Sequence, residues 1–322
     1  MMYSAFPNVY RATLVSRRCL LLPGEVSRIP GGVWVHGACT RLAVLAQTIS
    51  GLLASFRVSL VPAQQTAWEP PCEPALVSAC LDEVARVTGR SARSWAVQLP
   101  QDRRRRRFNL LLLDEERRPY SFIKFTANAL NPRATAMHRR FAQEPPLAFW
   151  APAYQASGDD GSWYYLALTA MPNLPHGPAR LSAGARRRLL GEIQATGSAD
   201  EGRTLVAVHG DFGPWNVRRL INRRVAVVDW EELTTGPPAA DELWHSITWW
   251  TQRARPIVTV EKVLRELELI GQAEIGLAAS YWMDRLSQPE TAEIDQNVAM
   301  PPRLAAYSNR LEETLRLVIE RT

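Results

Sequence analysis

The chain has 322 residues, with 46% apolar and 22% charged side chains, which is the composition of a globular protein long enough for two lobes and an extension. The net charge of +6 comes almost wholly from arginine, because lysine occurs only at Lys124 and Lys262. The four cysteines form no Cys-x-x-Cys pair and have no histidine cluster beside them. This pattern argues against a structural zinc site and against a disulfide scaffold.

The N-terminal part of the chain predicts neither export nor membrane insertion. It contains no clean apolar core followed by a small-residue cleavage site, so we expect a cytoplasmic protein. The longest apolar run, at 42–56, has about 15 residues, whereas a bilayer-spanning helix needs about 20. This run predicts a buried helix, with peripheral membrane association as the alternative. Residues 1–72 are interpreted as an N-terminal extension of unknown role that ends in a proline-rich linker.

Residues 73–172 have the pattern of a sheet-rich lobe. A helix is predicted at 74–88, since Pro74 can occupy its first turn and Gly89 can end it. Apolar and alternating runs predict strands at 95–99, 108–113, 120–125 and 163–169, and a second helix is predicted at 132–143. The first three strands are separated by short turns, which indicates an antiparallel meander.

Residues 173–322 are predominantly helical in pattern. Helices are predicted at 182–195, 239–252, 260–270, 274–287 and 302–320, and short β-branched runs lie at 205–208 and 225–228. A sheet-rich part followed by a helix-rich part predicts an α+β fold of two lobes with a cleft between them.

Two short segments contain the residues that predict chemistry. The first includes His209, Gly210, Asp211 and Asn216, and the second is a β-branched run that ends at Asp229. A carboxylate at the end of a strand is held rigidly at the edge of a cleft. Phosphoryl transfer needs a group that orients the attacking hydroxyl and oxygen ligands for a metal ion. We therefore interpret Asp211 as the base or orienting group, and Asn216 and Asp229 as Mg²⁺ ligands.

The sequence HGDFGPWN followed by VVDWE resembles the aminoglycoside phosphotransferase and choline kinase-like family. The resemblance is specific over about 208–243, where Gly236, Pro238 and Asp241 also match, and weaker over about 95–172. It implies a protein-kinase-like bilobal fold with a small antiparallel-sheet N-lobe at 73–172 and a larger helical C-lobe at 173–322. It also implies that His209 and Asp241 support the catalytic loop.

The resemblance further implies a nucleoside triphosphate site in the N-lobe. Lys124, on the third strand of the predicted meander, would bind the α- and β-phosphates of ATP or GTP. Backbone groups near Met171, where the two lobes join, would contact the nucleotide base. The implied cofactors are thus ATP or GTP together with Mg²⁺.

The chain departs from the family pattern at two places. The turn between the first two meander strands contains five arginines, at 103–107, and no glycine. This run is interpreted as a solvated turn, with contact to phosphate or to an acidic substrate and nucleic-acid binding as alternatives, and no nucleic-acid partner is predicted. In addition, the helix at 132–143 lacks the glutamate that would pair with Lys124. His138 occupies the best-aligned position, and Glu144 follows the helix.

The combined pattern predicts an enzyme that moves the γ-phosphate of ATP to a hydroxyl of a sugar, an amino alcohol or an aminoglycoside-like molecule. The alternative is a catalytically weak kinase-like module that binds a nucleotide or a partner. Trp244, Trp249, Trp250 and His245 are open to two interpretations, substrate pocket or core. Glu231 and Glu232 are equally open between substrate or metal contact and plain surface positions.

Overall fold

The computed structural model describes residues 6–13, 19–23, 45–46, 48–49, 63–100, 105–116, 118–172, 176–196, 205–220, 222–288 and 302–322. Most of the predicted helix at 42–56 lies outside these residues, as do Arg103 and Arg104 of the arginine run.

An eight-stranded antiparallel sheet forms the first part of the molecule. Its strands are β1 (Phe6–Thr13), β2 (Cys19–Pro23), β3 (Ala63–Trp68), β4 (Ser94–Gln98), β5 (Arg107–Leu113), β6 (Pro119–Thr126), β7 (Tyr154–Asp159) and β8 (Tyr164–Thr169). The strand order is β3-β1-β2-β4-β5-β6-β8-β7. The predicted meander β4-β5-β6 is confirmed and lies at the centre of this sheet.

Three of the eight strands come from the segment interpreted as an extension. Strand β2 pairs with β4, and β1 joins β2 to β3, so residues from 1–72 continue the sheet of the N-lobe. None of these three strands was predicted from the sequence. Their residues alternate only in part between apolar and polar, which is a weak signal for a strand.

Helix α1 (Pro74–Thr88) covers one face of this sheet. It packs against β7 and β8. Leu76, Val77, Cys80 and Val84 form its buried stripe. The helix ends where Gly89 adopts a left-handed conformation with φ of 65°, which a residue without Cβ adopts at little cost.

The second part of the molecule is mainly helical. Its helices are α2 (Pro132–Gln143), α3 (Ala183–Thr196), α4 (Ala240–Thr251), α5 (Pro256–Glu266), α6 (Gln272–Ser287) and α7 (Pro302–Ile319). Five short strands accompany them: β9 (His176–Pro178), β10 (Val206–Val208), β11 (Val217–Leu220), β12 (Val225–Val227) and β13 (Thr234–Gly236). One apolar core is formed by the four helices α4, α5, α6 and α7. In another, α2 and α3 pack around Phe212 and Trp230.

The predicted α+β fold of a sheet-rich part and a helical part is confirmed. The helices predicted at 74–88 and 132–143 have the predicted bounds. The helix predicted at 260–270 instead runs from Pro256 to Glu266, because a proline is favourable in the first turn. Strand β7 was missed, since it lies at a sheet edge and contains Ser157, Gly158 and Asp159. Within the described residues, no helix has both the length and the apolar character needed to cross a membrane.

Candidate active site

The loop that follows β10 is fixed by backbone hydrogen bonds to one buried carboxylate. Asp241, in the first turn of α4, accepts the N–H groups of His209 (2.6 Å) and Gly210 (3.2 Å). Gly210 has φ of 83°, and a Cβ atom there would lie 2.0 Å from the carbonyl oxygen of Glu232. Only glycine therefore fits at this position without a local rearrangement.

His209 connects this loop to the strand that precedes Asp229. Its Nε2 lies 3.1 Å from the carbonyl oxygen of Val228, and its Nδ1 accepts the N–H of Asp211 at 3.3 Å. These two contacts fit a neutral imidazole with its proton on Nε2. Burial lowers the pKa of His209 to about 4, so the ring is neutral at pH 7. The predicted support role of His209 and Asp241 has a geometric basis in these bonds.

Three N–H donors converge on the carboxylate of Asp211. Oδ2 accepts the indole N–H of Trp215 and the amide N–H of Asn216, each at 2.8 Å. Oδ1 accepts the indole N–H of Trp244 at 3.1 Å. Desolvation at this site raises the pKa of Asp211 to about 7, against the lowering effect of the Trp215 bond. The carboxylate is thus held in one orientation while Oδ1 retains acceptor capacity for a further donor.

Asn216 lies beside Asp229 because the strands that they flank are paired. Val217 of β11 is opposite Val227 of β12, and the N–H of Val228 donates to the carbonyl oxygen of Asn216 at 3.0 Å. The side-chain N–H₂ of Asn216 donates to both the backbone and the carboxylate of Asp211. This leaves the amide oxygen Oδ1 as the group that can face a cation.

Asp229 adopts an uncommon backbone conformation and pairs with Lys124. Its φ of 67° is in the left-handed region, which a non-glycine residue adopts at a cost and often at functional sites. The carboxylate contacts the ammonium of Lys124. Burial acts to raise the pKa of Asp229, but the charges of Lys124 and Arg107 outweigh it and hold that pKa below its usual range. Asp229 is therefore ionised at neutral pH.

Lys124 and Arg107 are both bound by Glu231. The ammonium of Lys124 lies 2.7 Å from Oε1 of Glu231, and Arg107 lies 3.2 Å from Oε2. Burial alone would lower the pKa of Lys124, but Asp229 and Glu231 raise it, so the ammonium stays protonated. Glu231, two residues after Asp229, is thus an acidic partner of Lys124 that lies outside α2. His138 instead contacts the carbonyl oxygen of Pro152 at 2.7 Å, and Glu144 pairs with Arg140.

The donor chemistry of Asn216 and Asp229 fits a hard cation. An amide oxygen and an ionised carboxylate on adjoining segments are ligands of the kind that Mg²⁺ takes, with phosphate oxygens and water completing its shell. Within the described part of the chain, no group of three or more His, Cys, Asp and Glu side chains forms a complete metal cage.

The structure brings together six of the seven residues that the sequence analysis selected. Asp241, His209, Asp211 and Asn216 are linked by hydrogen bonds, and Lys124 pairs with Asp229. Val228, which precedes Asp229, connects the two groups through its bonds to His209 and Asn216. Met171 is half-buried in the segment after β8 and makes no hydrogen bond or ion pair with these six. Its contact with a nucleotide base remains a prediction.

Three residues that contact the selected set were given no definite role from the sequence, namely Arg107, Trp215 and Glu231. Trp215 lies inside the selected motif, but nothing in the spacing shows that its indole N–H would meet Asp211. Glu231 and Arg107 are separated by 124 positions, so only the folded chain places them together.

The tryptophan-rich helix α4 combines the two interpretations that the sequence left open. Trp244 is buried and stacks on Trp282 with ring centroids 4.1 Å apart, yet its N–H reaches Asp211. His245 is buried and its Nδ1 lies 3.1 Å from the carbonyl oxygen of Phe212. Trp249 and Trp250 are half-buried and lie beneath cationic side chains. Only Trp244 of this group contacts the candidate site.

A polar cavity of about 350 Å³ adjoins the Glu231 network. Its lining includes Glu231, Glu232, Tyr281 and Arg285, from the turn after Asp229 and from α6. The ion pair between Glu232 and Arg285, at 2.8 Å, crosses this region. The volume is in the range of small-molecule sites.

Comparisons with known proteins agree with the motif. Residues 150–274 match the sequence model of the phosphotransferase enzyme family, a segment that includes Asp211, Asn216, Asp229 and Asp241. No curated protein sequence matches the chain.

Solved structures that resemble the chain share little sequence with it. A spectinomycin phosphotransferase in complex with ADP and spectinomycin is 10% identical, with 77% of this chain and 99% of that chain covered and a TM-score of 0.49. An aminoglycoside phosphotransferase mutant with ADP and hygromycin B is 17% identical, with coverage of 74% and 98% and a TM-score of 0.44. Choline kinase from Streptococcus pneumoniae is 9% identical, with coverage of 77% and 100% and a TM-score of 0.44.

The family resemblance is carried by the sequence match, which contains the loop after β10, the strand that ends at Asp229 and the start of α4. The chain therefore resembles the phosphotransferase enzyme family over residues 150–274, and the prediction made from the motif is confirmed.

Proposed function

We propose that the chain transfers the γ-phosphoryl group of ATP or GTP to a hydroxyl group of a small molecule. The observation that carries this proposal is that two pairs of residues lie on adjoining segments, which are joined by the hydrogen bond from the N–H of Val228 to the carbonyl oxygen of Asn216. Asp211 and Asn216 hydrogen-bond to each other on the loop after β10, and Lys124 pairs with Asp229 at the neighbouring strand end. An orienting carboxylate, two oxygen ligands and a cation are the parts that phosphoryl transfer requires.

Asp211 is the residue that we assign to the acceptor. Its Oδ1 would accept the hydrogen bond of the attacking hydroxyl, while Trp244, Trp215 and Asn216 hold the carboxylate in place. As the hydroxyl oxygen bonds to the γ-phosphorus, the bond from that phosphorus to the β–γ bridging oxygen breaks. The nucleoside diphosphate leaves, and the hydroxyl proton passes to Asp211.

The opposite side of the site is assigned to the nucleotide. Asn216 and Asp229 would hold Mg²⁺, which when bound neutralises charge on the phosphate oxygens. Lys124 keeps its proton in this environment and would contact the phosphates as a point charge. The acceptor classes proposed are sugars, amino alcohols and aminoglycoside-like molecules.

A second candidate function is a module that binds a nucleotide with little turnover. The observation in its favour is that Lys124 and Asp229, both assigned to the nucleotide, form an ion pair with each other. The two functions differ in one measurable respect, which is the transfer of phosphate to a hydroxyl acceptor.

The test is a screen for nucleoside diphosphate release across hydroxyl-bearing acceptors, with the Asp211→Asn variant beside the wild-type chain. We expect turnover to fall by about 10²- to 10⁴-fold in the variant, because the proton acceptor is lost. Nucleotide affinity should change little, since Asp211 is assigned to the acceptor side. Asp82→Asn, an exposed carboxylate of α1, is the matched control. Full turnover in Asp211→Asn would refute the assigned role, and binding without transfer by the wild type would favour the second function.

A further inference from the structure

Arg107 and Lys124 lie on the same face of the central sheet, next to each other. In the pairing of β5 with β6, Lys124 is opposite Asn109, and Arg107 is two positions from Asn109 on the same strand. Residues two apart on a strand share a face, so Arg107 is the diagonal neighbour of Lys124. Phe108, which lies between Arg107 and Asn109 in the sequence, points into the core on the other face of the sheet. The strand geometry therefore places two cationic side chains together.

The acid that joins these two cations has a rigid backbone. Glu231 lies in a single 3₁₀ turn at Trp230–Glu232. Trp230 is fully buried there and stacks on Phe149. The side chain of Asn131, at the start of α2, donates to the carbonyl oxygens of Glu231 (2.8 Å) and Leu233 (3.0 Å). The turn is thus anchored from two sides, and each carboxylate oxygen of Glu231 is committed to one cation.

The guanidinium of Arg107 is accessible to a ligand. Its side chain is 28% exposed, compared with 13% for Lys124, so a ligand in solution can reach it. A guanidinium presents several N–H donors in a plane and can bind two phosphate oxygens at once.

We propose that Arg107 is a second phosphate-binding residue of the nucleotide site and that Glu231 positions both Arg107 and Lys124. This inference rests on the proposed function, because the phosphates are those of the nucleotide. The turn before Arg107 has no glycine, which disfavours close approach of backbone N–H groups to phosphates. A side chain at the first residue of β5 supplies the contact instead.

The experiment compares ligands that differ only in their phosphates. ATP and ADP are titrated by calorimetry in the presence of Mg²⁺, and adenosine is titrated by ligand-observed NMR, for the wild type and for Arg107→Gln. We expect the affinity for ATP to fall about tenfold or more, as for the loss of a charge-assisted hydrogen bond, and the affinity for adenosine to stay unchanged. Arg107→Lys should have an intermediate affinity for ATP, because it keeps the charge but not the planar fork.

The matched control is Arg106→Gln, which removes the adjacent arginine of the same run. Arg106 is exposed and lies over the ring of Trp163, so its loss should leave the affinity for ATP within about twofold of the wild type. Melting temperatures of all variants separate a folding defect from a binding defect. Equal losses for ATP and adenosine in folded Arg107→Gln would assign a structural role to Arg107 and overturn the inference.

A double-variant cycle tests the positioning role of Glu231. If Glu231 aligns Arg107, then Arg107→Gln should cost less ATP affinity in the Glu231→Gln background than in the wild type. Strictly additive effects would overturn the positioning part. Unchanged ATP affinity in Arg107→Gln, with a wild type that binds ATP, would overturn the phosphate contact alone. A wild type that binds no nucleotide would overturn the proposed function and this inference with it.

Discussion

The two sides of the candidate site are built from contacts of different range. On the acceptor side, two of the three donors to Asp211, Trp215 and Asn216, lie four and five positions along the chain, and the third, Trp244, lies 33 positions away. On the nucleotide side, Lys124 pairs with Asp229 across 105 positions. Local contacts leave a compact sequence motif, whereas distant contacts leave isolated residues that only the fold brings together. Variants on each side should therefore fail in different ways.

The largest effect is expected for Gly210→Ala on the acceptor side. A methyl group there meets the carbonyl oxygen of Glu232, and φ at this residue is positive. We expect a loss of more than about 3 kcal/mol in the free energy of unfolding, because neither the loop nor the Glu232 backbone can shift without breaking hydrogen bonds. Urea unfolding followed by circular dichroism measures this loss.

Gly89→Ala is the matched control for Gly210→Ala. Gly89 also has a positive φ, but a Cβ atom there has nothing within 4 Å. Only the backbone strain of about 1–2 kcal/mol should remain. Similar losses in the two variants would show that the contact with Glu232 does not constrain the loop.

The next effect is expected for Asp229→Ala on the nucleotide side. Removal of an ionised carboxylate that we assign to Mg²⁺ should reduce the Mg²⁺-dependent affinity for ATP by about 10- to 100-fold. Calorimetry with and without Mg²⁺ measures the difference. Glu266→Ala is the control for the loss of an ion pair. It removes an acid at the end of α5 that pairs with Arg180. The same Mg²⁺ dependence in Asp229→Ala and the wild type would rule out Asp229 as the metal ligand.

The difference in contact range also explains how much of the site the sequence could predict. Asp211, Asn216 and Asp229 were selected because they lie in two short segments whose spacing matches the family pattern, although strand pairing brings Asn216 beside Asp229. Lys124 was found because lysine is rare in this chain and because the resemblance points to that strand. Glu231 was left undecided, since a glutamate after a strand is equally common at the surface.

The fold was predictable to a similar extent. The meander and the seven helices above were predicted from their periodicity and their proline and glycine boundaries, with boundary errors of up to four residues. The strands in 1–72 and the short strands β9, β11 and β13 were not, because their residues pair with distant segments and have little local preference. The structure of such segments is determined by their pairing with distant strands.

A smaller effect is expected for Trp244→Phe, which separates packing from positioning on the acceptor side. Phenylalanine can keep the stack on Trp282 but cannot donate to Asp211. For an acceptor that the wild type phosphorylates, we expect kcat to fall about tenfold, as for the loss of one hydrogen bond to a charged group, with little change in the KM for ATP. Trp249→Phe, on the same helix but in contact with Arg253, is the control. Equal kcat values in the two variants would show that Trp244 does not position Asp211.

The smallest expected effect is a change in the pH dependence of stability. It is assigned to His138, whose charge would interact with that of Lys124. Burial lowers the pKa of His138 to about 4, below the value of about 6.5 in an unfolded chain, against the raising effect of its bond to Pro152. The unfolded state therefore takes up the proton first, and the contribution of His138 to stability is lost as the pH falls from 6.5 towards 4. Between pH 6.5 and 5.5 this loss amounts to about 1 kcal/mol.

His138→Asn should lack this part of the acid destabilisation. The amide N–H of asparagine can replace Nδ1 as donor to the carbonyl oxygen of Pro152, and it does not titrate. His209 and His245, which are also buried and neutral, remain in both proteins, so the difference between the two pH profiles reports His138 alone. Urea midpoints at pH 6.5 and 5.5 provide the measurement. Parallel profiles would mean that His138 takes up its proton at the same pH in the folded and the unfolded chain, so that the surroundings of Lys124 gain a positive charge as the pH falls from 6.5 to 5.5.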